Sequence, residues 1–115
     1  MTDLRRLKRR AFESQAGRCF YCEQPMWLAD AATFAQRHNL SAESARHLQV
    51  TAEHVIARSC GGRDESSNIV AACRYCNTRR HRAKDALQAD AYLTRVRRRL
   101  AHGKWHGLRL AHQHR

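Results

Sequence analysis

Four of the five cysteines stand as two Cys-x-x-Cys pairs, Cys19/Cys22 and Cys73/Cys76, with 50 residues between the pairs. Two thiolates separated by two residues can turn around one ion through a backbone knuckle. Two such knuckles supply the tetrahedral sulfur set that zinc prefers. An ion held this way pins a segment near residue 20 to one near residue 75, which constrains the fold more than any other feature. On spacing alone two other readings stay open: buried apolar thiols, or a redox pair at Cys19 and Cys22. Neither pair lies in a thioredoxin-like βαβ pattern, which counts against redox chemistry. Cys60 is left over and reads as a small loop residue.

The composition suits a stapled fold. At 115 residues the chain has the size of one domain. Its apolar fraction of 43% includes much alanine, and mean hydropathy is −0.75, so the core is small and gains from a metal. Lys and Arg number 22 against 10 Asp and Glu, a net charge of +12. That balance favours a polyanionic partner, nucleic acid before an anionic membrane surface. Aromatic residues are too sparse and scattered for a base-stacking platform. No apolar run approaches the roughly 18–20 residues needed to cross a bilayer. The charged start MTDLRRLKRR lacks the apolar stretch of a secretory signal, so the expected compartment is the cytoplasm.

Leu4, Leu7, Ala11 and Phe12 recur at helical spacing and predict a helix over 3–16, with Gly17 as its stop. The knuckle occupies 17–25. Residues 29–48 are alanine-rich and predict one or two short helices broken near Asn39-Leu40-Ser41. Residues 49–57 lean toward strand, 59–68 carry dense turn signals, and Ile69–Cys73 reads as a second strand. From Asn77 a helix is expected through Ala83, Ala86 and Leu87 as far as Leu100, since nothing before Gly103 stops it. The tail His102–Arg115 reads as a disordered basic end whose histidines lie outside any site.

Within this strand, loop, strand, helix order stand Glu53-His54, Asn68, Asn77 and His81. Asn77 and His81 are four apart on the expected helix and share a face. A carboxylate, an amide oxygen and an imidazole can together hold one divalent cation. Individually each residue has an ordinary explanation, as surface charge, helix cap or basic-face residue. Their order and spacing carry the weight.

Thr51-Ala52-Glu53-His54-Val55-Ile56-Ala57, Gly61-Gly62, Asn68-Ile69-Val70 and Cys73-Arg74-Tyr75-Cys76-Asn77 together resemble the HNH endonuclease motif. The two cysteine pairs resemble those of its zinc-stabilised branch. The motif core covers about residues 50–85, and the knuckle adds 17–25. The resemblance implies an α+β fold built on a ββα-metal, treble-clef-like finger with flanking helices, one domain over 1–115. It implies Glu53 as the acidic ligand of a catalytic cation, with Asn77 contributing. His81 falls where some members carry a further metal-binding histidine and others lysine. His54 takes the place of the general base, and Asn68 that of the residue bracing the loop that orients it. Cys19, Cys22, Cys73 and Cys76 take the structural zinc.

The chemistry is consistent with that assignment. A neutral imidazole can take a proton from water at pH 7, and one cation can stabilise the departing oxyanion. Oxygen ligands favour Mg²⁺ or Mn²⁺, and a histidine in the set also admits other divalent ions such as Ni²⁺ or Zn²⁺. Arg74, Arg79, Arg80, Arg82 and Lys84 on the motif helix are expected to contact phosphates of double-stranded DNA, and Arg95, Arg97, Arg98 and Arg99 to add to them. The expectation is therefore a metal-dependent DNA endonuclease. The alternative is a zinc-stabilised nucleic-acid-binding module that does not cleave.

Overall fold

The computed structural model describes residues 3–110. Helix α1 (Leu4–Ser14) opens with the Asp3 side chain accepting from Arg5 N–H and buries Leu7. It ends where Ala16 and Gly17 both take positive φ, as the glycine suggested. The alanine-rich insert forms α2 (Ala31–His38) and α3 (Ala42–His47), capped by Asp30 and Ser41 and separated by a left-handed Asn39. Both helices and the break match the sequence.

Strands β1 (Val50–His54) and β2 (Ile69–Cys73) form a two-stranded antiparallel ribbon, with Glu53 opposite Val70 and His54 opposite Ile69. Helix α4 (Arg74–Arg82) starts directly from β2, with the Cys73 sulfur accepting from Cys76 N–H at its cap. Helices α1 and α4 both pack on the ribbon. A two-stranded ribbon is marginal alone, and its free edge is occupied here by side chain and knuckle. Gln15 donates to Ala71 O (2.9 Å) and accepts from Ala71 N–H (2.9 Å), while Phe20 N–H donates to the same carbonyl (2.9 Å). The ββα order expected from the motif is present, within an α+β architecture.

The long helix expected from Asn77 to Leu100 is divided. Helix α4 stops at Arg82, Ala83 is extended, and α5 (Ala89–Ala101) begins afresh behind Gln88. No glycine or proline marks the break. Across the break the Arg80 side chain turns inward and its Nε donates to Leu87 O at 3.0 Å. Helix α5 then folds back so that Tyr92 meets Tyr21 edge-on and donates to Cys76 O (2.6 Å). The tail also departs from expectation. Trp105 Nε1 donates to Cys76 Sγ (3.3 Å), and Leu110 N–H donates to Gln24 Oε1 (2.7 Å), so residues 103–110 pack on the knuckles. His112 and His114 lie outside the described residues. Among the described residues no helix is long and apolar enough to cross a membrane.

Candidate active site and metal centre

The four paired cysteines converge. Their sulfurs lie within 4.8 Å of one another, all four residues are buried, and Cys22 Sγ and Cys73 Sγ are 3.8 Å apart. Tetrahedral bonds of about 2.3 Å to zinc place sulfurs about 3.8 Å apart. Backbone N–H groups aim at these sulfurs: Tyr21 and Cys73 at Cys19 Sγ (3.3 and 3.2 Å), and Cys76 at Cys73 Sγ (3.4 Å). Such donors favour thiolate. Hydrogen bonding to Cys19 draws Cys22 below the usual thiol range and pushes Cys73 and Cys76 above it. A dication would end that competition for protons. His106 adds an independent sign. Its Nδ1 accepts from Leu108 N–H (3.0 Å), so Nε2 carries the proton, and that buried Nε2 has no partner among the described residues. The four cysteines are placed to hold a metal ion, consistent with structural zinc. Cys60 stands apart and exposed, as a loop residue should.

Glu53 is 1% exposed, an expensive place for a carboxylate unless it is fully paired. Its Oε2 accepts from Tyr21 OH (2.7 Å) and from Arg80 (2.8 Å), and its Oε1 lies 2.9 Å from His81 Nε2. Burial first, and then the charge of Glu53, hold the Tyr21 phenol far above its ordinary range, so it stays a donor. The Oε1–Nε2 spacing suits adjacent corners of an octahedron with bonds of about 2.1 Å, for which cis donors lie about 3.0 Å apart. Glu53 and His81 therefore fit one divalent cation, with Oε2 held from behind by Tyr21 and Arg80. Asn77 is not brought to this pair by any contact. Its Nδ2 donates to Thr51 Oγ1 (2.9 Å) and Ala52 O (3.3 Å), fastening α4 to β1.

The strand sends His54 to different neighbours from Glu53. Its Nε2 lies 2.7 Å from Asp64 Oδ1 in the loop between the strands, and that hydrogen bond holds Asp64 below the usual carboxylate range. A contact this short to a carboxylate places the proton on Nε2 and leaves Nδ1 as the acceptor. Arg58 approaches both, with Nε 3.2 Å from His54 Nε2 and NH2 3.2 Å from each Asp64 oxygen. With Nε2 protonated, the guanidinium pairs with Asp64. Asn68 bridges this loop: Oδ1 accepts from Ile56 N–H (2.7 Å), and Nδ2 donates to Ile56 O and Arg63 O (both 3.1 Å). Gly62 must be glycine here, because a Cβ would lie 1.6 Å from Ile56 O.

Arg80 corrects one expectation. Placed by sequence among the phosphate contacts, it is 4% exposed and reaches inward. NH1 donates to Glu53 and to His54 O (3.0 Å), and NH2 to Val55 O (3.1 Å). One guanidinium thus fixes both the carboxylate and the backbone at His54. Helical spacing carried this signal, since 77, 80 and 81 share a face and Asn77 meets β1. Asp64 had no periodic signal, and Tyr21 lay hidden between two cysteines. Arg80→Met should cost about 3–5 kcal/mol by stranding the Glu53 charge. A urea midpoint checks this, and Arg80→Met/Glu53→Gln should recover part of the loss. Arg74, Arg79, Arg82 and Lys84 are exposed as expected. Three of them, Arg74, Arg79 and Arg82, line an open groove with Arg46, and Arg79 stacks 4.0 Å over the Tyr75 ring.

No curated protein and no solved structure matches the chain. The HNH endonuclease family model matches residues 42–91, a span that holds both strands, the Asp64 loop, α4 and the start of α5. Over that segment, a little under half of the chain, the protein is similar to the HNH endonuclease family, and its paired cysteines gather beside it where they could hold a metal ion.

Proposed function

We propose that the protein is a divalent-cation-dependent endonuclease acting on double-stranded DNA, with one structural zinc on Cys19, Cys22, Cys73 and Cys76. The observation that carries this reading is that Arg80 bonds both Glu53, whose carboxylate meets His81, and the carbonyl of His54, whose imidazole is held by Asp64. His54 Nδ1 takes the proton of the attacking water. Asp64 holds the ring through Nε2 and offsets the positive charge as the proton arrives, much as a carboxylate does behind other catalytic histidines. Asn68 keeps the loop that presents Asp64. Glu53 and His81 would hold Mg²⁺ or Mn²⁺, which when bound would polarise the phosphate and steady the leaving oxygen. Asn77 keeps α4, and with it His81, in register with β1. Arg74, Arg79, Arg82 and Lys84 supply phosphate contacts that position the duplex.

The guanidinium on Glu53 Oε2 opposes a second positive charge, so a catalytic cation there would be held weakly. Supercoiled plasmid incubated with about millimolar Mg²⁺ or Mn²⁺ should be nicked. Brief chelation should stop nicking while circular dichroism stays unchanged, because thiolates keep their zinc. DNA retardation without nicking under every divalent ion tested would instead establish a binding module.

A further inference from the structure

The arginines of α5 separate by face. Arg97 turns to the knuckle, donating to Tyr21 O (2.8 Å) and pairing with Glu23 (3.1 Å). Arg95, Arg98 and Arg99 line an open groove of about 480 Å³ with His102 and Lys104, over a floor of Leu87, Ala91 and Thr94. Lys104 comes from outside the helix. Its N–H donates to Arg99 O (2.8 Å), and Trp105 beside it is tied to Cys76 Sγ. A second depression of about 410 Å³ shares Arg95, Arg99 and Lys104 and reaches Arg79 on α4. Asp85 is the one carboxylate lining either cavity. Among the described residues, Arg95, Arg98, Arg99 and Lys104 have no ion-pair partner.

A solvated helix face would spread its cations over a convex surface. Here two segments bring four unpartnered cations onto one concave track, where low-dielectric walls concentrate their field. Their mutual repulsion is relieved by a row of phosphates. A bilayer surface is a poorer match, because docking there draws on apolar side chains beside the charges, and Leu87 is the one large exposed apolar side chain on this track.

We infer that the α5 groove holds a stretch of sugar-phosphate backbone of duplex DNA beyond the scissile position, continuing a track from Arg79. The inference takes its partner from the proposed function, but it is read by binding, so it stands or falls separately from cleavage.

The test compares Arg95→Gln/Arg98→Gln/Arg99→Gln with Arg6→Gln/Arg9→Gln/Arg10→Gln, an equal charge change on the exposed face of α1. Fluorescence anisotropy with a 30-bp duplex is followed across a salt series. Each phosphate contact contributes about 0.9 to the slope of log affinity against log salt. The groove variant should lose about 2–3 from that slope and bind at least about 30-fold more weakly near 0.1 M salt. The α1 variant should lose less than about 1. Lys104→Gln alone should lose about 1, which covers the case of a misfolded triple variant. Equal losses in both triple variants, or an unchanged slope in the groove variants, would overturn the inference. So would unchanged DNA binding with loss of binding to phosphatidylserine vesicles. A parent that binds DNA with the expected groove dependence yet never nicks would refute the nuclease reading alone.

Discussion

His54→Ala is expected to slow plasmid nicking about 10²–10⁴-fold, the usual loss on removing a general base, with DNA affinity and zinc content unchanged. The imidazole makes no contact that the fold depends on: its one strong partner is Asp64, in a loop secured separately by Asn68. Asp64→Asn should give the same phenotype in milder form, because an amide can orient the ring but cannot offset its charge. Asp64→Glu should recover part of the rate. Raising Mg²⁺ should rescue neither His54→Ala nor Asp64→Asn, whereas it should partly rescue His81→Ala, where cation affinity is at fault. Single-turnover nicking across a Mg²⁺ series, with binding measured alongside, separates these cases. Parental nicking by folded His54→Ala would remove the base from the mechanism.

Cys73→Ser should abolish the fold rather than weaken it. The zinc held by such a cluster contributes apparent binding energy of about 10–16 kcal/mol at neutral pH. The whole net stability of a domain is about 5–15 kcal/mol. Cys73 is buried, starts α4 through its sulfur cap, and donates its own N–H to Cys19 Sγ. Purified parent should contain one zinc per chain by elemental analysis, and Cys73→Ser should contain none and show no cooperative melt. Cys60→Ser should match the parent in both, which isolates the effect to the cluster. Well-folded parent protein free of zinc would sink the assignment.

The sequence was most legible where local chemistry decides conformation. Helix α1 shows its apolar spacing, the α2–α3 break shows its Asn39, and β2 lies between a turn-rich loop and the second cysteine pair. Asn68 bonds across the loop to Ile56 and Arg63, and the cysteines converge. Three features escaped because no local signal marks them. The α4–α5 break has no glycine or proline and is spanned by the Arg80 side chain. The inward turn of Arg80 is itself invisible to a reading that puts arginines on the surface. The tail looked disordered because its order depends on Trp105 finding a sulfur contributed from 29 residues away. Asp64 was missed for a related reason: a carboxylate in a polar loop looks ordinary until the loop closes over His54.

The two knuckles have a further consequence for the order in which the chain assembles. Cys19 and Cys73 are 54 residues apart. Closing so long a span removes on the order of 4 kcal/mol of chain entropy, taking a covalent cross-link as the guide. The segment from Val50 to Arg82 needs only short closures: a hairpin, then a helix leaving its second strand. It can nucleate without the amino-terminal third. Residues 15–22 meet it through one edge, Gln15 and Phe20 bonding Ala71 beside Cys19 and Cys22. The ion thus sits at the longest closure in the chain path, where its binding energy offsets the largest single entropic cost of the fold.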